Sequence, residues 1–136
     1  MKIYGILFLS LLSFSFLDCT KTVTQVQEVN QAFSATYTLA PANWSTTANG
    51  LSYSATLQVP ALDGIILQSG GVIVYLSFDN GTNFEAIPEV FGGIAYGSVH
   101  SKGQVIVDLH ATNGGTISAP GGQILAKVVL LDAKPL

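Results

Sequence analysis

From Ala32 onward apolar and polar residues alternate. Phe33, Ala35, Tyr37 and Leu39 interleave with Ser34, Thr36 and Thr38, the period of two imposed on a strand with one buried face. Tyr53, Ala55, Leu57 and Val59 repeat the pattern against Ser52, Ser54, Thr56 and Gln58, and Pro60, which has no N–H to give a ladder, ends it. Residues 61–69 carry Asp63-Gly64 ahead of Ile65, Ile66 and Leu67, which predicts a short helical turn or a crossover. Val72 to Phe78 is apolar at nearly every position and predicts a central strand covered on both faces. Asp79-Asn80-Gly81-Thr82-Asn83 contains the Asn-Gly pair that favours a hairpin, so 84–87 returns as its partner until Pro88. Further strand signals cover 94–99, 104–110 and 123–131, and glycine pairs at 92–93, 114–115 and 121–122 punctuate the series. Inside the last strand, Lys127 marks a side that reaches water. Seven to eight short strands without a long helix predict an all-β fold, an antiparallel β-sandwich of the immunoglobulin-like kind, over residues 32–136.

The beginning of the chain follows another pattern. Met1-Lys2 leads into an almost wholly apolar run from Ile3 to Leu17, which ends at Asp18-Cys19-Thr20-Lys21. A basic residue, an apolar stretch shorter than the roughly 20 residues of a spanning helix and a processing site form a secretory signal over residues 1–18. The only cysteine follows at once and resembles the lipobox of bacterial lipoproteins, in which the thiol is acylated and the peptide is cut before it. The motif usually has a small residue where this chain has Asp18. Two competing readings stay open: cleavage nearby that leaves Cys19 free, or a buried structural cysteine. A lone thiol in an exported chain has no internal disulfide partner, and acylation gives it a use. After Cys19, the stretch TKTVTQVQEVNQ up to residue 31 has isolated valines at 23, 26 and 29 and too little apolar content for a core, so residues 19–31 read as a lipidated cysteine and tether.

Cleavage after residue 18 leaves 118 of 136 residues, enough for one domain with its own core. Lys2 and Asp18 leave together, so the net charge of −3 is unchanged. There is no arginine, and Lys21, Lys102, Lys127 and Lys134 are scattered, which argues against nucleic acid as a partner, since phosphate neutralisation needs a basic patch.

Several groupings bear on chemistry. Ser77-Phe78-Asp79-Asn80-Gly81-Thr82-Asn83-Phe84 is similar to the Asp-box hairpin of sialidase-type propellers, in which side chains brace a turn; it occurs once, whereas a propeller repeats its blades, so it reads as a braced hairpin. Asp79, Asn80, Asn83 and Glu85 supply hard oxygens but too few local ligands for calcium. His100 and His110, with Asp108, flank an expected hairpin at 101–104 and would meet as a cross-strand pair suited to a metal; exposed polar histidines are the simpler reading. Glu85 and Glu89 flank Pro88 as a carboxylate pair, but their separation is not legible. No serine stands in a nucleophile elbow. No enzyme activity, cofactor or metal is expected. Asn43-Trp44-Ser45 and Asn80-Gly81-Thr82 match the glycosylation pattern, an accidental match in a bacterial envelope. Trp44 is either a plug of the core or a platform for a sugar ring, and Tyr53, Tyr75 and Tyr96 are further candidate ligand-binding residues.

Trp44, Tyr53-x-Ala55-x-Leu57-x-Val59-Pro60, Gly70-x-Val72-x-Val74-Tyr75, Phe84-x-Ala86-Ile87-Pro88 and Lys127-Val128-Val129-Leu130 together resemble small uncharacterised lipoproteins and collagen-like protein C-terminal domains of Bacteroidota, over about Phe33 to Leu131. The resemblance implies a cell-envelope lipoprotein built on a β-sandwich and carries over no site residues. Surface-exported lipoproteins of such bacteria often have acidic residues after the acylated cysteine, and Thr20-Lys21-Thr22-Val23 lacks them, which tilts toward the periplasmic side without fixing it. The expectation is an outer-membrane lipoprotein anchored by lipid on Cys19, acting as a non-enzymatic accessory subunit that binds an envelope protein partner. The alternative is a carbohydrate-binding module that uses exposed aromatics on a glycan.

Overall fold

A computed structural model describes residues 31–46 and 49–133. The expected signal segment, Cys19 and the expected tether up to residue 30 lie outside the described residues. The elements are β1 (Ala32–Leu39), a 3-10 turn (Pro41–Asn43), β2 (Ser45–Thr46), β3 (Ser52–Gln58), α1 (Gly64–Ser69), β4 (Gly71–Ser77), β5 (Glu85–Ile87), β6 (Glu89–Phe91), β7 (Ile94–Ser101), β8 (Gln104–Ala111) and β9 (Ile124–Leu131). They form two antiparallel sheets, ordered β1-β9-β4-β5 and β2-β3-β8-β7-β6. The all-β sandwich expected from the alternation is present. Its nine strands exceed the seven or eight expected because β2 has two residues and because Pro88 separates two three-residue strands that belong to opposite sheets.

Register follows from which face is buried. In the first sheet Phe33, Ala35, Tyr37 and Leu39 stand opposite Leu130, Val128, Ala126 and Ile124, and Val128, Ala126 and Leu130 stand in turn opposite Val74, Leu76 and Val72. In the second sheet Ala55 and Leu57 pair with Val107 and Val105, and Tyr96 pairs with Leu109. These inward rows meet between the sheets, where Leu39, Leu76, Val105, Val107, Leu109, Ala126 and Val128 are buried. β4 and β9 are central strands, as their apolar sequences predict. Phe78 departs from that expectation: it lies one residue past the end of β4 and remains 41% exposed.

The α1 turn fills the crossover from β3 to β4. Its start is set by Asp63, whose Oδ1 accepts the N–H groups of Ile65 and Ile66 at 2.9 Å each, satisfying donors that a helix start leaves free. Ile66 and the preceding Leu62 enter the core. The chain enters beside this turn, where the Asp132 N–H donates to the Gln31 carbonyl at 2.9 Å. Leu39, Ser77, Ile94, Ala111 and Ile124 mark the other end of the sandwich, eight residues away along β1.

Gly70 ends α1 where two backbones nearly touch. A Cβ there would run into the Leu131 carbonyl and lie 2.9 Å from the Ile66 carbonyl, and neither is the end of a flexible side chain. Gly70→Ala is therefore expected to destabilise the domain by roughly 2 kcal/mol or more, the range of overpacking changes. Urea unfolding followed by fluorescence of the buried Trp44 measures it.

Candidate functional site

The four aromatic residues singled out from the sequence do not come together on an exposed face. Trp44 is 7% exposed and Tyr96 8%, both within the core cluster, and Tyr53 is half-buried against it. Trp44 is thus the plug and not the platform of the two readings. Its indole N–H finds no acceptor among the described residues. Tyr75 lies on the outer face of the first sheet opposite Lys127, whose Nζ stands 4.6 Å from the Tyr75 ring centroid and 4.3 Å from that of Phe84. The ammonium already occupies the ring faces a sugar would need. Lys127 therefore lies between two aromatic rings and does not simply extend into water.

The rings that are exposed are others. Phe78 and Phe91 stack with centroids 6.2 Å apart and planes inclined by 22°, and Phe78 meets Tyr96 edge-on at 5.3 Å and 64°. Phe91 is 62% exposed and its neighbour Val90 65%. Three elements assemble this patch: the end of β4 delivers Phe78, β6 delivers Phe91 on the row of Glu89, and β7 supplies Tyr96 as a buried floor. A cleft of about 190 Å³ opens beside it, lined by Leu76, Phe78, Asp79, Asn83, Glu85 and Phe91.

The hairpin that carries Phe78 is braced by its own side chains. Ser77, 1% exposed, donates from Oγ to Asp79 Oδ1 at 2.8 Å and accepts the Gly81 N–H at 2.8 Å. Asp79 Oδ1 accepts the Asn83 N–H at 2.9 Å and Oδ2 accepts the Asn83 side-chain amide at 2.7 Å. Asn80 and Gly81 turn with φ of 58° and 88°, the left-handed pair that an Asn-Gly hairpin turn requires. These hydrogen bonds, led by the Asn83 backbone donor, hold the Asp79 carboxyl below its ordinary range. Its oxygens are engaged by its own loop, which is the braced hairpin read from the sequence.

Glu85 and Glu89 do meet. They stand on the inward-facing rows of β5 and β6 at the side of the sandwich where the chain crosses between sheets. Loss of solvent, then the charge of Glu85, then a hydrogen bond with Glu85 push the Glu89 carboxyl up. Glu89 Oε1 is closed off from solvent without a hydrogen-bond partner among the described residues, and burial followed by the charge of Glu89 raises the Tyr96 phenol in turn. The histidines do not meet. The expected hairpin at 101–104 forms, but His100 stands opposite Val105 while His110 stands opposite Ala95, which puts them at opposite ends of the β7–β8 ladder. Among the described residues no three His, Cys, Asp or Glu side chains gather as a metal would require.

The exposure of Phe78 and Phe91 was not read from the sequence. The signals were present: Phe78 directly precedes Asp79-Asn80-Gly81, and Phe91 stands between a three-residue strand and Gly92-Gly93, so both rings lie where the ladder ends. Comparison with protein-family models, curated proteins and solved structures returns no match.

The Glu85–Glu89 pair has a consequence for stability. A carboxyl whose folded pKa lies above its unfolded value makes the folded state bind the extra proton, so its contribution is greatest at low pH and is lost as pH rises through the folded pKa. Glu89→Gln keeps the hydrogen-bonding capacity without the charge. It is expected to unfold at a higher temperature than the parent at about pH 7, with the difference gone by about pH 4, where the parent carboxyl is also neutral. Thermal unfolding at the two pH values checks this.

Proposed function

We propose that this chain is a cell-envelope lipoprotein, anchored to a bacterial outer membrane by lipid on Cys19, that works as a non-enzymatic accessory subunit and holds a protein partner at the Phe78–Phe91 patch. The observation that carries the binding role is the stacked, exposed pair of phenylalanines, one of them next to a hairpin braced by its own hydrogen bonds. Large rings in water at a sandwich end cost free energy that a partner's apolar surface would recover, and aromatic anchors over a buried floor are the usual centre of a protein interface. The patch is at the end away from the entry of the chain at Gln31, so a partner seated there is clear of the tether. The apolar run 3–17, the position of Cys19 and the resemblance to Bacteroidota lipoproteins support the anchor. Binding of a glycan remains the second reading, through Phe78 and Phe91 instead of the residues first named, because the cleft beside them puts amide and carboxylate groups next to a ring face. The protein reading is preferred because Asp79 and Asn83, two of the polar groups a sugar would use, are taken up by their own hairpin.

A photo-crosslinking amino acid at position 91 is expected to give a discrete adduct with an envelope protein in cells, reduced several-fold by Phe78→Ala, while the same probe at the exposed Thr56 of β3, separated from β6 by β8 and β7 in the same sheet, gives none. Phe78-dependent retention of the chain on a glycan array without a protein adduct would favour the second reading. For the anchor, Cys19→Ser is expected to abolish incorporation of labelled palmitate and to move the chain to the soluble fraction. Unchanged membrane retention of that variant would count against lipidation.

A further inference from the structure

The edge formed by β1 stands apart from the Phe78–Phe91 patch. β1 lies at the outside of the first sheet and, among the described residues, pairs only with β9. Because the Asp132 N–H bonds the Gln31 carbonyl, the alternation of an antiparallel ladder turns the backbone groups of residues 33, 35, 37 and 39 toward β9 and those of Ala32, Ser34, Thr36 and Thr38 outward. None of these outward groups has a hydrogen-bond partner among the described residues. Native edges of this length are ordinarily blunted by a lysine, a proline, a bulge or an inward charge. The eight residues AFSATYTL contain no charge, proline or glycine, and their register with β9 runs unbroken from Ala32 to Leu39.

The side chains of this edge are also half-finished. Phe33, 46% exposed, and Ala35 lie on the row that faces the other sheet, with Tyr37 half-buried between them and the core. Together with Val59, Ala61, Val128 and Leu130 they line a shallow apolar cavity of about 120 Å³ that opens at this side of the sandwich. On the side of β3 away from β8, β2 covers only Tyr53 and Ser54, and among the described residues the rest of that edge has no neighbouring strand.

We propose that β1 is a self-association edge, on which the β1 of a second copy adds antiparallel to join the two four-stranded sheets into one. The sequence is complementary to itself in that arrangement. With Ala35 opposite Ala35 of the copy, Ala32 pairs with Thr38 and Ser34 with Thr36, so that all the outward N–H and C=O groups find partners. Phe33 then stands across from Tyr37 of the copy on each side of the alanines. Those aromatic cross-strand pairs fall at positions where the chains approach most closely and close over the two apolar cavities. No like charges face each other, because the strand has none. A charged extended segment would gain the same backbone bonds but would set its charges against an apolar row. Under the anchoring proposed above, the two Gln31 ends are separated by the paired strands, roughly 27 Å at the rise of a strand, and a twelve-residue tether reaches up to roughly 40 Å, so both lipids can enter one membrane.

The test uses the full chain with Cys19→Ser, which leaves the thiol under test as the only one. Ala35→Cys in this background is expected to form an interchain disulfide on mild oxidation, since facing positions of a closely spaced pair lie within disulfide reach. Ser34→Cys and Thr36→Cys are expected to cross-link to each other in a mixture and poorly with themselves. Thr56→Cys, exposed on the other sheet, serves as the control for random collision. Light scattering of the parent without an added thiol is expected to give twice the chain mass. Thr36→Pro removes an outward N–H without touching the β9 ladder and is expected to weaken the dimer roughly tenfold or more, since symmetry deletes two hydrogen bonds, while Trp44 fluorescence still reports a folded core. A monomer at all concentrations, or cross-linking at position 35 no faster than at position 56, overturns the proposal. Neither result touches the partner patch, which Phe78→Ala tests separately.

Discussion

The domain is held together by what β9 does in the middle of the first sheet. It is the last strand in sequence, yet β1 pairs along one side of it and β4 along the other, so residues 32–39 have a place only after residues 124–131 have arrived. The period-two pattern of β9 makes this possible: Ile124, Ala126, Val128 and Leu130 face the second sheet and are buried, while Leu125, Lys127 and Val129 face outward. A slip by one residue would drive Lys127 into the core, where an unpaired ammonium costs several kcal/mol. The register of both neighbours is therefore fixed by one charge and four apolar side chains. Contacts so distant in sequence close late, and the loop entropy they cost is offset by burial.

The same alternation explains why the architecture was legible. Strands β1, β3, β4, β8 and β9 were visible as alternating or continuous apolar segments between turn residues, and the Asp79–Asn83 hairpin and the Asp63 turn followed from Asn-Gly and Asp-Gly chemistry. The order of strands was not legible. Alternation states which residues face the core but not which edges meet, so nothing local shows that the first and last strands are neighbours. The shortest strands β2 and β6 were hidden for another reason: they are too brief to show a period, and Ile87-Pro88-Glu89 carries the chain from one sheet to the other without a loop, whereas β5 was legible as the return of the Asn-Gly hairpin.

The site was the least legible part because exposure at the end of a strand depends on where the partner strand stops. Phe78 continues the inward parity of Val72, Val74 and Leu76, and by pattern it belongs to the core. It is left largely in water because the β4–β9 ladder ends at the Ser77–Leu125 pair, one residue before it. Trp44 shows the converse: isolated in a polar stretch, it read either as a plug of the core or as a sugar platform, and next to the Pro41–Asn43 turn it is buried in the core. A pattern reports the face of a residue well and its depth poorly, and ligand sites are decided by depth.

Association by a face and association by an edge place opposite demands on a sheet, and Lys127 separates the two. On the outer face of the first sheet Ile73, Tyr75 and Val129 form an apolar surface, to which β1 contributes the hydroxyls of Ser34, Thr36 and Thr38. Stacking another sheet on that face would bury the ammonium held over Tyr75 and Phe84, and the desolvation it requires has no carboxylate nearby on those strands to offset it. The edge carries no such obstacle, because the row of β1 is uncharged and its free groups are backbone donors and acceptors in equal number. A single cation on the central strand thus disfavours layering of the sandwich while leaving lateral growth open. Lateral growth at β1 ends after one addition, since the edge is used up by its own copy, and the other end of the sheet is closed by β5, which at three residues is too short to template a further strand.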